Sequence, residues 1–197
     1  MDTKSQIIEI ARKLFAQHGF DGVSVRAICS EVGCNVSAIS YYFGSKEELF
    51  NATVMAGAEA RVRTAESILT APENTEDFKA KLKIFLTQFF ESSCENSCMI
   101  RIISRDMKII AENENVTAYF KKIPETVARF FAIAQEKNII RKDFEPLVLV
   151  DFTISPYFIH ILFSDTSQHG HLDLSDAQAR HRFVDQHIEL MCKGYLV

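Results

Sequence analysis

The sequence predicts an all-α protein: three short helices leading into a bundle of longer ones, about nine in total. Three observations carry this. Glycine and proline are scarce, 7 and 4 in 197 residues, which disfavours a turn-rich β sandwich. Apolar residues recur at helical spacing along most of the chain. Side chains that cap helices stand just before several of those periodic runs.

The first helix is drawn by Ile7, Ile8, Ala11, Leu14 and Phe15, at i, i+1, i+4, i+7 and i+8. Gly19 is placed to end it in a left-handed conformation, with Phe20 packing back. Ser24 caps a short helix from Val25 to Val32, with Ile28 on its inner face. Gly33-Cys34 makes a tight turn, and Asn35 caps a third helix from Val36 to Phe43. Ser45-Lys46-Glu47-Glu48 is a capping box that opens a fourth helix, expected to reach Leu69. Ala71-Pro72-Glu73-Asn74 breaks it, and Thr75 caps a fifth with Phe78, Leu82, Phe85 and Phe89 on one stripe. A sixth is expected from Cys98 to Glu112 and a seventh from Val116 to Lys137, with Pro124 a point of interruption. Pro146 opens an eighth that ends near Phe163. Residues 164–174 read as a polar loop containing His169-Gly170-His171, and Ser175 with Gln178 opens a ninth helix to Lys193.

A boundary is expected near residue 50, because only four of the 16 Phe lie at or before it. The chain then divides into residues 1–50 and 51–197. Helix, short turn and helix across Ser24–Phe43 is the geometry of a DNA-binding helix-turn-helix. Such a motif needs small or polar side chains on the outer face of its second helix, so that the backbone can enter the major groove. Val36, Ser37, Ser40 and Tyr41 fit that face.

Gly19-Phe20, Ser24-Val25, Ile28, Val32-Gly33 and the run Ile39-Ser40-Tyr41-Tyr42-Phe43-Gly44-Ser45-Lys46-Glu47-Glu48-Leu49 together resemble the amino-terminal signature of the TetR family of bacterial transcription regulators. The resemblance covers residues 4–50 without a gap, and the rest of the chain matches in length and helix count. Cys34-Asn35 stands where the family often has Val-Ser, and Ser40 where Tyr or Asn is frequent. The resemblance implies a helix-turn-helix DNA-binding domain, with a ligand-binding and dimerisation domain behind it. It implies that Ser24 touches a phosphate and that Arg26 reaches a phosphate or a base edge. Val36, Ser37 and Ala38 would face bases, and Ser40, Tyr41, Tyr42 and Lys46 would bind backbone phosphates.

Charge restrains that picture. Lys4, Arg12, Lys13, Arg26 and Lys46 stand against Asp2, Glu9, Asp21, Glu31, Glu47 and Glu48 in the first 50 residues. One such module is expected to bind DNA weakly, so affinity must come from helix dipoles, hydroxyl contacts and two modules acting together. The apolar stretch Pro146–Phe163, with Phe183, Val184, His187, Ile188 and Met191, is the expected homodimer surface. Asp151, Pro156 and His160 interrupt that stretch, which argues for burial in protein rather than in a membrane.

In the back region, Phe85, Phe89, Phe130, Phe152 and Tyr157 recur on helical faces. Asp106 falls on an apolar arc of the expected sixth helix, where an unpaired carboxylate would cost several kcal/mol. His160 is a second polar group in apolar surroundings. These seven residues are the expected lining of a pocket for a small hydrophobic or aromatic effector. No catalytic motif, cofactor fingerprint or zinc-type His/Cys spacing occurs, so neither enzyme, cofactor nor metal is expected. Cys94 and Cys98, four apart, read as structural thiols that could share a helix face. Five Cys without framework spacing, and no leader pattern, fit a cytoplasmic protein. The expected function is a ligand-responsive repressor that binds double-stranded operator DNA. The alternative is a helical dimerisation protein without DNA binding, which the acidic front module motivates.

Overall fold

The computed structural model describes residues 2–56, 58–163, 173 and 175–196, and within them the chain is helical apart from short connections and an isolated Ile140–Leu196 bridge. Contacts gather it into two compact units: Met1–Glu59 with Asn96–Tyr119, and Ala60–Glu95 with Phe120–Val197.

The first unit opens with α1 (Thr3–His18), capped by Asp2, whose carboxylate accepts from the Ser5 amide at 2.7 Å. Its buried stripe is Ile7, Ala11 and Phe15, one residue per turn. Gly19 ends it at φ +74, and an added Cβ there would stand 3.0 Å from the Arg105 side chain. The backbone conformation favours glycine at this corner, and a side chain there would also press on Arg105. Then come α2 (Val25–Val32) and α3 (Val36–Phe43), capped by Ser24 and Asn35, whose side chains accept from Ala27 and Ser37 amides at 3.1 Å each. The Ser45 hydroxyl accepts from the Glu48 amide at 3.0 Å and starts α4 (Lys46–Met55). Ile7, Phe15, Ile28, Ile39, Leu49 and Phe50 form the core of this unit. Phe15 and Phe20 both meet the Phe50 ring edge-on, each with centroids 5.1 Å apart.

Two expected helices are shorter than their periodicity suggested. The fourth stops at Met55, because Ala56 turns out of the helix at ψ 120, beside a glycine in the sequence. The helix resumes as α5 (Ala58–Ile68). The expected sixth helix divides into α7 (Ser97–Arg105) and α8 (Met107–Glu112) at Asp106. Asp106 keeps its backbone bonds to Ile102 and Ile110 but opens to φ −106, ψ 25. The apolar arc on which it was expected to sit is therefore not one helical face.

The second unit is built from the greater part of α5, α6 (Thr75–Glu95), the greater part of α9 (Glu114–Glu136), α10 (Pro146–Leu162) and α11 (Ala177–Tyr195). Asn74 rather than Thr75 caps α6, accepting from the Asp77 amide at 2.9 Å. Pro124 lies inside α9 without ending it. Asp176, not Ser175, caps α11, accepting from the Gln178 amide at 2.8 Å. The core here is aromatic: Phe78 stacks on Phe130 at 5.1 Å, and Tyr157 packs against Phe90 at 4.9 Å and Phe183 at 5.5 Å. The loop with His169 and His171 lies outside the described residues. Among the described residues, no helix is long and apolar enough to cross a membrane.

Candidate nucleic-acid interface

Helix α3 is short because Asn35 opens it and Gly44, at φ +85, closes it after eight residues. One residue of its length, Ile39, is fully buried, and it anchors the helix on the core of the first unit. Val36, Ser37, Ser40 and Tyr41 lie away from that anchor on an arc of about 140° and are all exposed. Tyr41 is 82% exposed, with its ring edge-on to Tyr42 at 5.0 Å. Such exposure of an aromatic side chain gains nothing from water, but it gives the phenol reach towards a partner. Hydroxyls of Ser37, Ser40 and Tyr41 therefore project from one rigid, small-residue surface. Ser24 and Arg26, at the start of α2, are exposed as well.

Two of the expected contacts are differently placed. Ala38 is half-buried and packs against the core, so its methyl contributes to anchoring α3. Lys46 is half-buried, with its ammonium 4.2 Å from the centre of the Phe20 ring. That cation–π contact orients the side chain at the head of α4. The first amides of α2 and α3 supply partial positive charge without any basic residue, which matters in a module with more carboxylates than cations.

The residues expected around an effector gather only in part: Phe85, Phe89 and Tyr157 form a chain of ring contacts, with centroids 5.7 and 6.2 Å apart. Phe85 and Phe89, one turn apart on α6, line a cavity of about 230 Å³ together with Ala60, Arg61, Thr64, Ala65, Ile68, Gln88, Ser92 and Ile123. Phe130 is fully buried on Phe78, and Tyr157 is fully buried with its hydroxyl 2.9 Å from His187 Nδ1. Burial pushes the Tyr157 hydroxyl well above its ordinary pKa, so it acts as a neutral donor. His160 is half-buried with its ring 4.6 Å from Phe183, and Phe152 is 66% exposed. Asp106 belongs to the other unit, where its Oδ1 accepts from the Phe20 amide at 3.4 Å. Its carboxylate ties the break between α7 and α8 to the corner after α1.

The cavity residues on α5 were missed. Their signal is the small pair Ala60 and Thr64, four apart, which leaves room opposite Phe85 and Phe89. Cys94 and Cys98 do not share a helix, because α6 ends between them at Glu95. Among the described residues no cluster of His, Cys, Asp and Glu could hold a metal ion.

The sequence profile of bacterial regulatory proteins of the tetR family matches residues 7–53, the segment that forms α1 to α4. The transcriptional repressor AcnR of Corynebacterium efficiens is 37% identical over 68 residues, which is 34% of this chain and 35% of AcnR. The transcriptional regulator UidR of Escherichia coli K12 is 28% identical over 146 residues, covering 72% of this chain and 70% of UidR. The match thus spans about a third of one relative and over two thirds of the other. Among solved structures, the transcriptional regulator FadR of Bacillus subtilis, determined in complex with stearoyl-CoA, superposes with a TM-score of 0.75 at 14% identity. That superposition covers 96% of this chain and 98% of FadR, and it extends the likeness of fold through both units.

Proposed function

We propose that this chain, whose residues 7–53 match bacterial regulatory proteins of the tetR family, is a cytoplasmic transcriptional repressor that binds a near-palindromic operator as a homodimer and leaves it on binding a small effector. The observation that carries the reading is the exposed hydroxyl-bearing face of α3, held by the Ile39 anchor. Residues 1–50 do the reading, and residues 51–197 bind the effector and dimerise. Ser37 and Val36 meet base edges. Ser24, Arg26, Ser40, Tyr41, Tyr42 and Lys46 meet phosphates.

A dimer follows from the energetics, since a module with this charge balance gains little from counterion release. The exposed apolar residues Val148, Phe152, Ile159 and Phe163, with Leu190 on α11, support α10 and α11 as the dimer face. The cavity beside Phe85 and Phe89 is the effector site we favour. Its volume lies just under the ~300–1,000 Å³ of drug-sized pockets, which suits a small ligand. Its apolar floor and its polar residues Arg61, Thr64, Gln88 and Ser92 suit an amphipathic one. Such a ligand releases DNA only if it binds the DNA-incompetent dimer more tightly.

The test is a gel shift with DNA flanking the chain's own gene. Tyr42→Phe and Lys46→Ala are expected to lower affinity on every sequence alike, whereas Ser37→Ala changes the preferred bases. A properly folded dimer that binds no DNA from that region or from a random-sequence pool would favour the alternative, a helical dimerisation protein.

A further inference from the structure

The turn between α2 and α3 carries two cysteines, and its geometry brings them together. Helix α2 ends in a left-handed Gly33, at φ 75 and ψ 32. The Gly33 amide donates to the Cys29 carbonyl at 2.9 Å, and the Cys34 amide donates to the same carbonyl at 3.0 Å. The second bond is the one that defines a Schellman ending. In that motif the side chains three positions inside the helix end and two beyond it commonly pack on each other. Here those positions are Cys29 and Cys34. Cys29 is buried in the core of the first unit, and Cys34 is half-buried against the same core. Both are free thiols, five residues apart across the turn. Cys29 Sγ also donates to the Asn35 carbonyl at 3.6 Å, so this sulfur touches the residue that caps α3.

We propose that Cys29 and Cys34 form a dithiol–disulfide switch, closed by hydroperoxides, that sets the position of α3 and hence DNA affinity. The inference rests on the DNA-binding reading for its consequence, but not for its chemistry. Cys34 is the more accessible sulfur and reacts first. Burial, then the neighbouring Cys34, pushes the Cys29 thiol up to about 11, which leaves Cys29 as the resolving group. The Cys34 thiolate attacks the peroxide, the O–O bond breaks and a sulfenic acid forms on Cys34, while the expelled oxygen takes up the proton the thiol had lost and leaves as water, or as an alcohol from an organic hydroperoxide. Cys29 Sγ then attacks that sulfur, and the expelled hydroxide takes the Cys29 proton and leaves as water. Two thiols are oxidised by two electrons in all, and the peroxide is reduced by the same two.

A disulfide holds its sulfurs about 2.05 Å apart, far inside non-bonded contact. Closing it draws Cys34 towards Cys29 and removes the S–H donor from the Asn35 carbonyl. Asn35 is the cap of an eight-residue helix held by one fully buried side chain, so the reading face moves with it.

The test treats the reduced, full-length protein with one equivalent of hydrogen peroxide. Tryptic cleavage after Arg26 and Lys46 releases residues 27–46, which contain both cysteines. Without reductant this peptide should be lighter by two hydrogens. Affinity for DNA selected from a random pool by the reduced protein should fall at least tenfold, and dithiothreitol should restore it. Cys34→Ser and Cys29→Ala should each bind that DNA with an affinity that peroxide leaves unchanged. The proposal is overturned if residues 27–46 stay reduced, or if the disulfide forms and affinity does not change. It is equally overturned if Cys34→Ser loses affinity to peroxide as the parent protein does. If the reduced protein selects no DNA, the DNA-binding reading fails, while the mass of the peptide still decides whether the disulfide forms.

Discussion

The two units of this chain spend their aromatic residues differently. In the first, Phe15, Phe20 and Phe50 form a small cluster under the helices, and Tyr41 stands almost wholly in water. In the second, Phe78, Phe90, Phe130, Phe131 and Tyr157 fill a large interior, while Phe152 and Leu190 stay exposed. An exposed tyrosine on a short, well-anchored helix is suited to polar contacts. Exposed phenylalanine and leucine on long apolar helices are suited to burial against another such surface. The contrast supports the proposal that one unit reads DNA and the other associates.

The largest effect is expected in the aromatic interior. Phe130→Ala should cost about 3–5 kcal/mol, because the site is fully buried and the stacked Phe78 cannot fill it. Urea unfolding measures this, and a cost under about 1 kcal/mol would mean that this interior is loosely packed. Next comes the association face. Phe152→Asp should leave the unfolding midpoint of the monomer nearly unchanged yet lower operator affinity at least a hundredfold. Sedimentation equilibrium of the same variant should show dissociation, and a variant that stays dimeric moves the interface off α10.

Smaller effects probe the reading unit. Tyr41→Ala should weaken DNA binding about tenfold while changing stability by less than about 0.5 kcal/mol, as for an exposed side chain. Asp106→Ala should cost roughly 1 kcal/mol, the worth of one partly buried hydrogen bond. Asp106→Asn keeps an acceptor for the Phe20 amide and should cost less. The smallest effect is a pH dependence in the second unit. Burial holds His187 below its usual pKa, opposed by its bond to the Phe152 carbonyl at 3.2 Å. The unfolded state therefore binds the proton more readily. Stability is full above the ordinary value of about 6.5 and falls as pH drops through it towards the lower folded value. His187→Gln should flatten the unfolding midpoint across that window, and an unaltered slope would assign the dependence elsewhere.

The first unit was legible in the sequence because its signals are local. Ser24, Asn35 and Ser45 cap amides within three residues, and Gly19, Gly33 and Gly44 all take positive φ where the helices end. Asp106 was misread because its partner is the amide of Phe20, 86 residues away, which no periodicity reports. The breaks at Ala56 and Asp106 were missed for the same reason: apolar spacing continues across them. In the second unit, the stripe of α6 predicted Phe85 and Phe89 beside a cavity wall but not what faces them. Phe130 and Tyr157 carry the same sequence signal and are core, since helical spacing alone does not separate a cavity lining from a packed interior.

The central claim is that two reading heads act together on one operator. Sedimentation velocity of the protein with a labelled full site and with a labelled half-site tests it most directly. Two chains are expected on the full site, with reading helices about 34–36 Å or somewhat more apart, and half-site binding at least a hundredfold weaker. A single chain bound as tightly to the half-site as to the full site would contradict it.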